Sequence, residues 1–416
     1  MTHTTLPPMP ARDSLTGDIH RPQFHFLPPA NWMNDPNGII QENGRLHLFY
    51  QYNPEGAWHG NIHWGHAVTT DLVHWSDLPI ALAPGPDGPD AEGCWSGCAV
   101  DDQGIPTLVY TSASPQTVSL ATSTDELVTW TKHAGNPVIA GPPFELAKRA
   151  EGNFRDPFVW RQDGSWYLII GSKIMDVGGT ILLYRSQDLV HWDYLHPLLI
   201  GDVHGAEPFW TGTMWECPLF LDFGARQALV TSVQATRVDH LYPAYATGSF
   251  QDERFTLEVQ DILAHGGYFY APHTGRLEDG RHVMWGWLRE ARSPQVSQWA
   301  GWAGTMSLPL IVSLEPDGQL ALAPAAELQA LRDEHRAGPI LVIGQPAFER
   351  LRHPLDLRFR RHVGGRVPIQ IEEAVGRVGL RIARFGGADV QRVKRAVQRR
   401  DDFVVRGPIN QIIRQL

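Results

Sequence analysis

The chain has 416 residues, too many for one compact core and enough for two domains. Hydrophobic residues make up 43% and charged residues 19%, the balance of a globular chain. A formal net charge of -10 argues against nucleic acid as a partner of the whole chain, and no run of about 18 apolar residues offers a membrane span.

Residues 1–22 are rich in Pro, Thr and Asp and lack an apolar h-region, so a loose N-terminal arm without a secretory leader is expected. Three cysteines, Cys94, Cys98 and Cys217, form no disulfide framework, and their odd number fits a reducing, cytoplasmic setting. Cys94 and Cys98 have no partner pair at zinc spacing and read as small core residues.

From residue 23 the chain reads as short β-rich runs broken by Gly, Pro, Asp and Asn. The stretch Trp32-Met33-Asn34-Asp35-Pro36-Asn37-Gly38 stands out. Pro36 pushes Asp35 out of the helical region, and Asn37-Gly38 signals a turn. A fixed carboxylate beside a Trp suits a sugar-ring site, although an Asx-type turn opening a strand has the same residues. Asp-Pro recurs at Asp156-Pro157, and Glu216 precedes Pro218 by two residues.

An internal repeat organises these acids. Gly44, Gly104, Gly164, Gly224 and Gly280 each precede an apolar run and step by 60, 60, 60 and 56 residues. Later in the first three units come Asp71-Leu72-Val73-His74-Trp75, Glu126-Leu127-Val128-Thr129-Trp130 and Asp188-Leu189-Val190-His191-Trp192. A unit of this length holds four strands, the size of a propeller blade. The expected fold is all-β: a five-bladed β-propeller over 23–315, a linker over 316–340 and a β-sandwich-like region over 341–416. A β-helix needs shorter repeats, and a sandwich alone leaves the equal steps unexplained.

Asp35 lies nine residues before its glycine, and Asp156 and Glu216 lie eight before theirs, so all three are expected at one phase facing the channel. Trp95-Ser96 and Tyr270-Ala271-Pro272 take that phase in the other two units. Beyond residue 315 the composition changes. From Arg350 to Leu416 there are sixteen Lys and Arg against six Asp and Glu, which reads as a solvated face or a poorly folded tail more readily than as a nucleic-acid surface.

Two carboxyls about 5 to 5.5 Å apart serve retaining glycoside hydrolysis, one as nucleophile and one as acid/base. Asp35, with the Asn34 amide, suits the ionised role. Glu216, between Trp215 and Cys217, suits a raised pKa, and Asp156 beside Arg155 should stay ionised. A divalent-metal site is the alternative use of three acids, but no Asp-x-Asp-x-Asp loop occurs, and no metal or cofactor is expected. No Gly-x-Ser-x-Gly elbow, Walker loop or dinucleotide fingerprint is present.

These motifs resemble glycoside hydrolase family 32, the invertase, inulinase, levanase and sucrose-6-phosphate hydrolase group. Besides the stretches above they include Gln51-Tyr52-Asn53-Pro54, His63-Trp64-Gly65-His66-Ala67, Trp95-Ser96-Gly97, Phe154-Arg155-Asp156-Pro157, Trp215-Glu216-Cys217-Pro218, Gly286-Trp287 and Gly301-Trp302-Ala303-Gly304. The resemblance implies a propeller followed by a sandwich, and retaining hydrolysis of terminal β-fructofuranosides such as sucrose, sucrose 6-phosphate or short fructans. It implies Asp35 as nucleophile, Glu216 as acid/base and Asp156 as the transition-state stabiliser. Asn34, Gln51, Trp95, Ser96, Arg155 and Trp287 match positions that shape the fructose subsite, and each also has a reading as blade packing. The implied partner is a small sugar, with neither nucleic acid nor membrane involved; oligomeric state is not readable. His59, preceded by Trp58, holds a place where many members carry Trp. The Arg-rich end resembles the family's sandwich poorly, so a truncated or atypical sandwich is expected. A non-catalytic carbohydrate-binding propeller and a fructosyltransferase remain the alternatives.

Overall fold

A computed structural model describes residues 9–332, apart from residue 237. The expected sandwich at 341–416 lies outside the described residues.

The five repeat glycines all have positive φ, from 72° to 90°, a conformation without steric cost only for glycine. Each turns the first strand of a sheet into the second. The first sheet holds β1 (Asn31–Glu42), β2 (Arg45–Asn53), β3 (His63–Thr69) and β4 (Ser76–Leu82). The second holds β5 (Cys94–Asp102), β6 (Ile105–Ser112), β7 (Thr117–Thr122) and β8 (Thr131–Lys132). The third holds β9 (Phe154–Gln162), β10 (Ser165–Ile174), β11 (Gly178–Ser186) and β12 (Trp192–Ile200). The fourth holds β13 (Met214–Asp222), β14 (Gln227–Thr236), β15 (Asp239–Gln251) and β16 (Arg254–Ile262).

The fifth sheet begins with β17 (Phe269–Arg276) and β18 (His282–Leu288). After a short helix at Pro294–Ala300, β19 (Trp302–Ala303) leaves to pair with β1, and β20 (Thr305–Met306) returns to β18. Strands β21 (Leu310–Leu314) and β22 (Leu320–Pro324) complete the sheet, so the fifth blade runs through Pro324. A 3-10 helix at Ala326–Leu331 follows.

The molecule is a five-bladed β-propeller. The first strands β1, β5, β9, β13 and β17 neighbour one another in turn, and β17 returns to β1. Five apolar clusters fill the five gaps between adjacent blades. Trp285 is fully buried between the fifth and first blades, and Trp160 stacks on Phe220 at 4.1 Å between the third and fourth. Truncating such a wedge costs about 3–5 kcal/mol. Cys94 and Cys98 are buried, as expected of core residues.

The closing turn of the first three blades has one mechanism. Asp71 and Asp188 each accept the amides of the second and third residues beyond them at 2.8 to 3.0 Å, and Leu72 and Leu189 sit at positive φ. In the second blade Asp125 takes this role, accepting the Thr129 amide at 2.8 Å, and Leu127 has φ 62°.

Ring closure is parallel: Asn31 pairs with Trp302 and Trp32 with Ala303. The described part of the N-terminal arm lies across this side and is pinned, contrary to the expected loose segment. Arg12 Nη2 donates to Asp77 at 2.6 Å, and Trp302 Nε1 donates to Asp18 at 2.7 Å. Paired charge holds this arm where composition alone suggests slack.

Candidate active site

Each first strand bulges at this level relative to its neighbour, and β1 bulges a second time between Asn37 and Ile40. The register slips between Met33 and Pro36, Trp95 and Gly97, Arg155 and Phe158, Glu216 and Leu219, and Tyr270 and His273. A bulge bends the strand and re-aims side chains. Asp156, Cys217 and Ala271 have φ of 66°, 47° and 45°.

This register corrects the expected common phase of the acids. The bulged pairs in the third, fourth and fifth blades are Asp156-Pro157, Cys217-Pro218 and Ala271-Pro272. Cys217 is therefore the counterpart of Asp156, and Glu216 is the counterpart of Arg155. The three acids still converge, but through different positions on their strands.

Asp35 is gripped from one side by donors. Ser96 Oγ donates to its Oδ2 at 2.7 Å, and Asn34 Nδ2 donates to its Oδ1 at 3.1 Å. Gln51 Nε2 reaches Oδ2 at 3.5 Å and also bonds Ser96, while Gln51 Oε1 accepts from Asn34 at 3.1 Å. Trp32 Nε1 donates to Asn34 Oδ1 at 2.7 Å. Cys217 Sγ lies 3.6 Å from both Asp35 Oδ2 and Asp156 Oδ2, so these two oxygens are at most twice that distance apart. The Cys217 amide donates to Asp156 Oδ2 at 2.9 Å.

Glu216 is held by a different set. Arg155 donates to Oε1 from Nη2 at 2.8 Å and from Nε at 3.1 Å. Tyr270 Oη donates to Oε2 at 2.7 Å, and His240 Nε2 lies 3.8 Å from Oε2. Asn153, Gln116, Gln234 and Met214 surround the rest of the guanidinium. Arg155 comes no closer than 3.9 Å to Asp156. Gly171 lets the two blades meet, since a Cβ there would lie 2.3 Å from the Trp215 carbonyl.

The charges follow from this geometry and run against the expectations for Asp156 and Glu216. Burial raises the pKa of Asp35 against the bonds from Ser96 and Asn34. Burial pushes Asp156 up to about 7 despite Arg155. Burial also acts on Glu216, but Arg155, His240 and Tyr270 outweigh it and hold Glu216 below its ordinary value. The expected raised Glu216 and ionised Asp156 exchange places because the guanidinium bonds Glu216 instead of its sequence neighbour. Three largely buried carboxyls facing one guanidinium oppose the ionisation of all three together.

Of the remaining expected residues, Trp287 meets Trp32 at a ring distance of 6.0 Å and packs against Cys217, Tyr270 and Ala271. Trp95 lies with its indole nitrogen against Gly93, and its carbonyl accepts from Trp64 Nε1 at 3.0 Å. His59 stands edge-on to Trp32 at 5.9 Å, while Trp58 is exposed. His240, Gln116 and Gln234 were missed; none sits in a motif with a chemical signature. Among the described residues no group of three or more His, Cys, Asp or Glu is arranged to hold a metal ion. No helix among them is long and apolar enough to cross a membrane.

Comparison with known proteins agrees with this architecture. The family described as glycosyl hydrolases family 32 N-terminal domain matches residues 25–324. A sucrose-6-phosphate hydrolase of Escherichia coli is 37% identical over 340 residues, covering 77% of this chain and 68% of the relative. A raffinose invertase of Escherichia coli is 38% identical, covering 76% and 67%. Among solved structures, a Bombyx mori β-fructofuranosidase in complex with sucrose aligns at 32% identity with TM-score 0.65, covering 76% of this chain and 67% of that one. A fructan 1-exohydrolase from Cichorium intybus with 1-kestose aligns at 32% identity with TM-score 0.67, covering 76% and 62%. The chain thus spans about two thirds of the length of its curated relatives. With the propeller and its carboxylates in place, the chain belongs to glycosyl hydrolase family 32, a family of glycosidases.

Proposed function

We propose that the protein is a retaining β-fructofuranosidase acting on a terminal fructosyl unit, with sucrose or sucrose 6-phosphate as substrate. The observation that supports this is the convergence of three largely buried carboxyls from three blades around Arg155 and Cys217. Asp35 is the nucleophile: Ser96 and Asn34 fix its orientation and moderate the burial that opposes its charge. It attacks the anomeric carbon as Glu216 protonates the departing oxygen. Glu216 then takes a proton from water, and the water oxygen releases fructose from Asp35.

The resting proton lies on the aspartate side, since Arg155 favours ionised Glu216. Sugar hydroxyls donating to Asp156 favour its ionised form, which frees a proton for Glu216. Substrate binding and arming of the acid are then one event. The proposed compartment is the cytoplasm, where three unpaired thiols fit.

The test is release of glucose and fructose from sucrose by the native chain, Asp35→Ala and Glu216→Ala. Native activity that falls by at least about a thousandfold in both variants supports the assignment. Equal activity in all three overturns it. The Arg155 clamp on Glu216 also fits a sugar-binding propeller without turnover; fructose binding with no native hydrolysis would select that reading.

A further inference from the structure

Beneath the carboxyls the ring axis holds a narrow space walled by every blade. Asn37, Gly97, Phe158, Leu219 and His273 contribute from the five first strands, and Asp156 and Cys217 line it as well. It offers about 10 Å³ to the centre of a water molecule, room for one.

Two side chains on this wall have unmet hydrogen-bond capacity. Asn37 is fully buried, its Oδ1 accepts from the Gly97 amide at 3.4 Å, and its Nδ2 has no acceptor among the described residues. His273 is 6% exposed. Among the described residues neither of its nitrogens reaches hydrogen-bond geometry with a protein atom, although backbone of Gly97 and Thr274 lies close enough to favour its proton slightly. Burial pushes its pKa down to about 4, so the ring is neutral at neutral pH. Orphaned polar groups this deeply buried are rare in native proteins unless a water serves them.

We propose that one buried water occupies the axial space, accepts from Asn37 Nδ2, bonds His273 and donates to the carboxyl of Asp156 from below. His273 is thereby a positioning residue that acts on Asp156 through this water. The inference rests on the fructosidase reading only for its kinetic consequence.

The chemistry selects water over an ion. The Asn37 N–H group repels a cation. The carboxyls of Asp156 and Asp35, both in contact with Cys217 Sγ, repel an anion. Only a small group that both donates and accepts serves an amide N–H, a neutral imidazole and a carboxyl together. Among the described residues the bonds to the Asp156 side chain come from Cys217 and both go to Oδ2, which leaves acceptor capacity on this carboxyl.

The decisive experiment compares the native chain with His273→Leu, which removes the polar contact, and His273→Gln, which keeps a donor and an acceptor. A crystal structure should show one water on the axis in the native and Gln proteins and none in the Leu protein. The melting temperature should fall by several degrees in Leu and recover in Gln. A dry, strained site predicts the opposite sign, because replacing an unsatisfied imidazole by an apolar side chain stabilises. With sucrose as substrate, the acid limb of kcat/KM should move upward by about half a pH unit or more in Leu and stay in place in Gln, since loss of the donor weakens ionised Asp156. An empty axis, density for an ion, or a higher melting temperature in Leu overturns the proposal. Absence of native hydrolysis would sink the fructosidase reading while density and melting still decide the water.

Discussion

Arg155 and Glu216, from adjacent blades, share a two-pronged ion pair in which the guanidinium donates to one carboxylate oxygen at 2.8 and 3.1 Å. Arg155 is buried and Glu216 largely so, and burial on Arg155 is outweighed by Glu216 and Asp156, which raise its pKa. Arg155→Met would leave three largely buried carboxyls without their guanidinium. It should cost about 3–5 kcal/mol in urea unfolding and at least about a hundredfold in kcat/KM. A variant of native stability would show that the pair is dispensable.

Asp156 predicts a trade between stability and function. Its folded pKa, about 7, exceeds the ordinary 3.8, so the folded chain binds this proton more tightly than the unfolded chain. The resulting stability is complete below about pH 4 and is lost as pH rises to about 7. Asp156→Asn, neutral throughout, should be more stable than the native protein at pH 8 by about 2 kcal/mol or more. The difference should vanish at pH 4, while sucrose hydrolysis is lost. Equal stability at pH 8 would place the charge in a better-solvated site.

Three buried histidines work in the other direction. Burial pushes His47 and His273 down to about 4, and burial with its neighbour His47 pushes His66 well below 6.5. His47 Nδ1 and His66 Nε2 are 2.9 Å apart, so the pair shares one hydrogen bond and no charge. A depressed folded pKa means stability is present above 6.5 and lost as pH falls toward 4. Asp35 and Asp156 offset part of this. The melting temperature should therefore drop between pH 6.5 and 4.5, which a scan across that range checks; a rise would mean the aspartates dominate.

Gly171 separates sterics from charge. Adding its methyl places carbon 2.3 Å from the Trp215 carbonyl and 3.2 Å from that of Arg155. Gly171→Ala must push the fourth blade outward, at about 1–3 kcal/mol. Since Glu216 follows Trp215, kcat/KM should fall by more than about tenfold. Unchanged kinetics would show that the blades slide without disturbing the ion pair.

The propeller was legible because its turn glycines recur at one interval and each needs positive φ. The three acids were legible because proline marks the bulge. The phase of Glu216 was misread because the turn from β13 to β14 leaves four residues between strands, whereas that from β9 to β10 leaves two. Counting back from a glycine absorbs that difference silently. The partner of Arg155 was misread because neighbours on an extended strand point to opposite faces, so adjacency to Asp156 was no guide. Gln116, Gln234 and His240 reach the site through tertiary placement alone, which leaves no local pattern. The N-terminal arm looked slack because its anchors, Asp77 and Trp302, are distant in sequence.

The parallel seam has a consequence for how the molecule fails under heat. Only two residue pairs join β1 to β19, and Asn31, one of them, lies four residues before Asp35. Fraying there would unseat the nucleophile while four blades stay folded. Thermal inactivation should thus precede the loss of far-ultraviolet signal, and exchange of the Asn31 amide, which donates to the Gly301 carbonyl at 2.7 Å, should be among the fastest in the sheets.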